Sequence, residues 1–90
     1  MPRKDLMIIN KLGLHARAAA KLVATASKFG SSVNIGLATG KSADAKSIMG
    51  VMMLGAAKGT PIWIETSGSD EDTALDAVET LINNRFDEDE

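Results

Sequence analysis

The 90-residue chain has no cysteine and no tyrosine, one tryptophan, two phenylalanines, two prolines and a single histidine. Without cysteine there are no disulfides and no thiolate metal sites, and one histidine is too few for a dedicated transition-metal site. No metal and no cofactor are expected. One Trp and two Phe are too few for base stacking, and a net charge of −2 provides no basic patch, so nucleic acid is not an expected partner. No apolar run approaches transmembrane length, and Met1-Pro2-Arg3-Lys4-Asp5 lacks the apolar core of a signal peptide. These absences point to a cytoplasmic protein that inserts into no membrane. With 44% hydrophobic residues, the chain is read as one small domain over 1–90 with a modest core, and as a monomer.

What is present reads as alternating strands and helices. Leu6-Met7-Ile8-Ile9 is an apolar run long enough for a buried strand, and Asn10-Lys11-Leu12-Gly13 is the turn after it. From Ala16 to Phe29, apolar residues recur at Ala16, Ala19, Ala20, Val23 and Ala26, with Leu22 beside them, which is helical spacing closed by Gly30. Ser32–Leu37 alternates cleanly, with Val33, Ile35 and Leu37 inward. Thr39-Gly40 turns the chain into a weaker strand over Lys41–Ala45. Ser47 is an N-cap for a short helix through Leu54 that ends at Gly55 or Gly59, with Met53 and Leu54 toward the core. Pro61–Thr66 is a strand in which Trp63 alternates with Ile62 and Ile64, and the pattern leaves its side unassigned. Ser69, followed by Asp70, Glu71 and Asp72, starts a last helix with a stripe of Ala74, Leu75, Val78, Leu81 and Ile82. The tail Asp87-Glu88-Asp89-Glu90 reads as frayed and solvated. The order β-α-β-β-α-β-α predicts an α+β layer, with helices on one face of a mainly antiparallel sheet.

The only histidine lies in Gly13-Leu14-His15-Ala16-Arg17-Ala18-Ala19-Ala20, where a turn gives way to a helix. A helix start offers unpaired N–H groups and the positive end of the dipole. Arg17 adds a guanidinium suited to two-pronged phosphate binding. The arrangement puts a nucleophilic imidazole inside an anion site. No second catalytic group accompanies His15 in the sequence, and no clustered carboxylates lie near it, which disfavours a general acid–base enzyme.

Gly13-Leu14-His15-Ala16-Arg17 and the small-residue helix after it resemble the active-site motif of the HPr family, the histidine-containing phosphocarriers of the bacterial phosphoenolpyruvate phosphotransferase system. Gly40-Lys41-Ser42-Ala43-Asp44-Ala45-Lys46-Ser47-Ile48-Met49 is similar to the family's segment around its regulatory serine. Asn10-Lys11-Leu12-Gly13, Met52-Met53-Leu54, Ala57-Lys58-Gly59 and the end Phe86–Glu90 resemble the nitrogen-related branch, NPr. The resemblance implies an open-faced β-sandwich, with four antiparallel strands in the order 1-4-2-3 and three helices on one side. It implies that His15 takes a phosphoryl group, on Nδ1, from a phosphorylated enzyme I-type donor and passes it to a histidine of an enzyme IIA-type protein. The chain is then a phosphotransferase component and not a stand-alone catalyst.

The amides at this helix start, those of Ala16, Arg17 and Ala18, are read as holding the phosphate, and the resemblance places Ile48, Met49 and Met52 on a docking surface. Lys21, Lys46 and Lys58 are read as its basic rim. Ser47 is both an N-cap and the counterpart of a serine that a kinase modifies in some members. One departure stands out: the family usually has proline after the arginine, and here Ala18 keeps an amide donor. The alternative reading is a regulatory interaction module in which phosphorylation of His15, and of Ser47, controls partner binding. Relatives in catabolite repression lack the active histidine, and the presence of His15 argues against that class.

Overall fold

In the computed structural model, which describes residues 1–88, the strands are β1 (Arg3–Met7), β2 (Ser32–Leu37), β3 (Ser42–Asp44) and β4 (Pro61–Ser67), and the helices are α1 (Ala16–Ala26), α2 (Ile48–Met53) and α3 (Glu71–Asn83). All strand pairs are antiparallel, in the order β1-β4-β2-β3. The expected topology is therefore present, with the three helices on one face. Alternation builds the two central strands. Ile35 of β2 lies opposite Ile64 of β4, and both are fully buried against the helices with Val33 and Ile62. Burying each such side chain contributes about 1.5–3 kcal/mol.

Trp63 falls on the opposite, open face. It lies directly across from Gly36, where an added Cβ would overlap the indole. Glycine at 36 is thus what lets the ring lie flat on the sheet. The Arg3 guanidinium covers the ring at 4.8 Å from its centre, a cation–π contact.

Several boundaries differ from the sequence reading. The first strand is Arg3–Met7 and not Leu6–Ile9. β1 is an edge strand, so its polar residues face water, while Ile8 just beyond it is buried. On α1 the buried face is Ala18, Ala19, Leu22 and Ala26, whereas Ala16 and Ala20 are exposed. A run of alanines fixes no helical phase, and Leu22 sets it. The helix is capped at Ser27, three residues before Gly30.

Met53 is 75% exposed, against expectation, while Leu54 is buried. Val51 and Leu54, three residues apart, take the inner face, and Met53 lies on the other side. The N-cap of α3 is Asp70 rather than Ser69, and its carboxylate makes no capping bond. Instead it accepts from Gly30 N at 3.1 Å, Ser31 N at 2.9 Å and the Ser31 hydroxyl, tying the α1–β2 turn to the start of α3. The Ser31 hydroxyl bond, helped by the two backbone bonds, outweighs desolvation and holds the Asp70 carboxyl below its ordinary value.

The end of the chain corrects the reading of a frayed tail. After α3, Arg85, Phe86 and Asp87 take φ values of +57°, +53° and +63°, a left-handed turn of three non-glycine residues. Phe86 is fully buried in the core. Lys21 Nζ donates to the Phe86 carbonyl at 2.9 Å. Asp89 and Glu90 lie outside the described residues.

Candidate active site

The site is assembled where the loop before α1 meets the loop after α2. Gly13 has φ +66°, and a Cβ there would lie 2.7 Å from Ala56 O and 2.9 Å from Ala57 Cα, so only glycine allows the two backbones to approach this closely. Leu14 N donates to Ala56 O at 2.8 Å across the same junction. Gly13 N donates to Asn10 O at 3.2 Å and Asn10 Nδ2 to Gly13 O at 2.7 Å, closing the turn from both sides.

His15 is the N-cap of α1, with extended backbone. Its imidazole does the capping: Arg17 N donates to Nδ1 at 3.2 Å. Ala19 N is the first amide taken by the helical ladder, bonding His15 O at 2.8 Å. The amides of Ala16, Arg17 and Ala18 therefore make up the helix start beside Nδ1, as the sequence predicts. Arg17 is exposed and Ala18 is buried.

On the other side of the ring, His15 Nε2–H donates to Glu88 Oε2, and Asn10 Nδ2 donates to Glu88 Oε1 at 3.0 Å. An acceptor at Nδ1 and a donor at Nε2 define one neutral tautomer, with the proton on Nε2 and the lone pair on Nδ1. The Glu88 side chain is 14% exposed and that of His15 26%. Desolvation raises the Glu88 carboxyl. The hydrogen bonds from Asn10 and His15, with the positive charge of Arg17, more than offset it, leaving the carboxyl below its ordinary range.

Sequence reasoning placed His15, Ala16, Arg17 and Ala18 at the helix start, where the structure has them, and gave no sign of the Asn10 and Glu88 contacts. The sequence shows no clustered carboxylates beside the histidine motif, and the structure brings a single one, Glu88, to the ring. A contact across 73 residues leaves no local pattern. The one usable signal was Phe86, a lone aromatic in a charged end, which marks an anchor. Among the described residues there is no cluster of three metal-ligating side chains, and no helix is long and apolar enough to cross a membrane.

α2 packs beside α1 and exposes Ile48 (42%), Met49 (67%) and Met52 (41%), with Met53 beside them. The Ser47 hydroxyl accepts from Gly50 N at 3.3 Å, so its cap role is real. The basic rim is only partly as read. Lys21 serves the Phe86 carbonyl and Lys46 Nζ donates to Phe29 O at 2.8 Å, while Lys58 is exposed.

An imidazole at a helix start, on an open-faced antiparallel sandwich, is an arrangement that can receive an anionic group. Comparison with known proteins identifies which kind. Residues 2–84 match the family described as "PTS HPr component phosphorylation site". The chain is 54% identical over 90 residues to the phosphocarrier protein HPr of Pseudomonas putida, covering 100% of both. Its fold matches the crystal structure of HPr-C-His from Thermoanaerobacter tengcongensis with a TM-score of 0.94 and 42% identity, covering 100% of both chains. An HPr dimer from the same organism matches with a TM-score of 0.77 and 43% identity, over 98% of this chain and 100% of that one. The chain belongs to the HPr family, the phosphocarriers of the phosphotransferase system.

Proposed function

We propose that this chain carries phosphoryl groups on Nδ1 of His15, taking them from a phosphorylated enzyme I-type donor charged by phosphoenolpyruvate and passing them to a histidine of an enzyme IIA-type protein. The observation that carries this reading is the bond from Arg17 N to Nδ1, which leaves the lone pair on the nitrogen that faces the helix start. When the donor's N–P bond breaks and an Nδ1–P bond forms, the phosphoryl oxygens can be received by the amides of Ala16, Arg17 and Ala18 and by the Arg17 guanidinium. No proton has to leave His15 in either direction, which suits a group that must be both gained and lost.

Ile48, Met49 and Met52 are the docking surface in this reading, since exposed, adaptable thioethers suit several partners. The nitrogen-related branch is favoured by Asn10-Lys11-Leu12-Gly13, Met52-Met53-Leu54 and Ala57-Lys58-Gly59. Ser47 is the proposed position for control by a serine kinase. The chain acts as a cytoplasmic monomer of one domain, and light scattering in solution tests this against a dimer.

The deciding experiment is incubation with phosphoenolpyruvate and purified enzyme I of the sugar or nitrogen branch, followed by intact mass and then by addition of an enzyme IIA-type acceptor. One phosphoryl group is expected, labile to acid and stable to base, and absent from folded His15→Ala. Enzyme I-dependent label persisting in that variant sinks the assignment. Label that forms but never moves onward favours the regulatory module.

A further inference from the structure

We propose that the left-handed C-terminal turn is a strap that holds the Glu88 carboxylate on Nε2 of His15, making Glu88 a positioning residue for phosphoryl transfer at the opposite nitrogen. The proposal rests on the carrier reading for what His15 does, and on geometry for the rest.

Three successive non-glycine residues with φ between +53° and +63° form a conformation that L side chains rarely adopt. Such a turn persists only where its surroundings hold it. Here Phe86 is sunk in the core, Lys21 Nζ grips the Phe86 carbonyl, and Asp87 N and Glu88 N close back on Asn84 O and Arg85 O, each at 3.0 Å. The turn delivers a single side chain, and both of its oxygens are used on the loop that carries the nucleophile. Oε1 takes Asn10, the residue that also closes the Gly13 turn, and Oε2 takes the His15 ring.

The chemistry follows from where the charge appears. Neutral His15 attacks phosphorus through the Nδ1 lone pair, the Nδ1–P bond forms, and the donor's N–P electron pair returns to the donor imidazole. The His15 ring is then cationic, with its proton still on Nε2. A carboxylate on that proton stabilises the cation and blocks the tautomer in which Nδ1 is protonated and unreactive. On onward transfer the Nδ1–P electron pair returns to Nδ1, and the Nε2 proton again stays. Glu88 therefore raises the share of phosphoryl groups that rest on this chain rather than on the donor.

The test uses Glu88→Gln, which keeps the shape and removes the charge, and Phe86→Ala, which keeps Glu88 and loosens the strap. Ring ¹⁵N spectra of the free protein should show the ratio of Nε2–H to Nδ1–H tautomer falling by roughly tenfold in Glu88→Gln. The ratio of phosphorylated to free chain at equilibrium with phosphorylated donor should fall by a similar factor, with unchanged circular dichroism. Phe86→Ala, measured in its folded fraction, should move the ring spectrum in the same direction. Wild-type spectra and wild-type partition in Glu88→Gln overturn the proposal. A change in Glu88→Gln with none in Phe86→Ala overturns the strap. If the wild-type chain takes no label, the carrier reading has failed, while the ring spectrum, which needs no donor, still decides whether the strap sets the tautomer.

Discussion

Replacing Gly13 with alanine tests the junction that presents His15, and the structure supplies its own control. Two costs are expected. The left-handed backbone, at φ +66°, costs a side-chain-bearing residue about 1–2 kcal/mol. The new Cβ also meets Ala56 O at 2.7 Å and Ala57 Cα at 2.9 Å. Both are backbone atoms that cannot rotate away, so a further cost of about 1–3 kcal/mol follows from forced displacement. Loss of chain entropy in the unfolded state returns about 0.4–1 kcal/mol. The net expectation is a destabilisation of about 2–4 kcal/mol, a fall of roughly 10–25 °C in Tm for a domain of this size.

Gly55 has nearly the same conformation, φ +65°, with nothing within 4 Å of an added Cβ. Gly55→Ala therefore carries the backbone cost alone, and the difference between the two variants isolates the contact with the Ala56–Ala57 backbone. Urea melts with unchanged m-values give both numbers. The folded Gly13→Ala protein should also accept phosphoryl groups more slowly, because the Leu14 N–Ala56 O bond and the Asn10 contacts that seat His15 share this junction. If Gly13→Ala costs no more than Gly55→Ala, the close approach does not organise the site and the reasoning fails.

Four further outcomes are expected. Ala18→Pro should gain about 0.4–1 kcal/mol in thermal melts, because its amide precedes the helical ladder and the bond that caps His15 comes from Arg17 instead; a loss of several kcal/mol contradicts this. Met49→Asp lies at a 67% exposed position, so it should leave stability within about 0.5 kcal/mol while slowing transfer with both donor and acceptor; unchanged rates remove Met49 from the docking surface. Ser47→Asp keeps a competent N-cap and should melt like wild type, yet accept phosphoryl groups more slowly because it sets a negative charge on that surface; equal rates leave Ser47 as a cap only. Asp70 sits below its ordinary 3.8 in the folded chain, so its contribution is complete above that pH and is lost as pH falls through the folded value. Asp70→Asn should therefore lower Tm at neutral pH, with the gap to wild type closing below pH 3.8, and a gap that persists in acid refutes the assignment.

The parts of this molecule that sequence reveals are those fixed by local periodicity. β2 is found to the residue, and β4 and the buried stripe of α3 nearly so, because alternation and 3.6-residue spacing each leave a direct trace. The helix start at His15 and the cap at Ser47 are legible for the same reason, since a cap is a local arrangement. What local pattern cannot carry is the identity of a distant partner. Asp70 reads as a helix-start acid, but its carboxylate goes to Ser31, 39 residues away. Asp87 and Glu88 read as solvated because acidic ends usually are; Asp87 is exposed as read, but the burial of Phe86 turns Glu88 back onto the site.

That return bears on why a carrier with a carboxylate at its nucleophile need not waste its cargo on water. Hydrolysis of a phosphorylated imidazole would be helped by a carboxylate oxygen free to take a proton from water beside the phosphorus. Both Glu88 oxygens are engaged, one by Asn10 and one by His15, and the ring places them at Nε2, across from the Nδ1 that would bear the phosphoryl group. The carboxylate is thus arranged to act on the charge of the ring and not on an attacking water. The helix start offers only donors at Nδ1, which can receive phosphoryl oxygens but cannot take a proton from water. Carboxylate and proposed phosphoryl site are held on opposite nitrogens of one ring, so the group can wait for a partner protein to remove it.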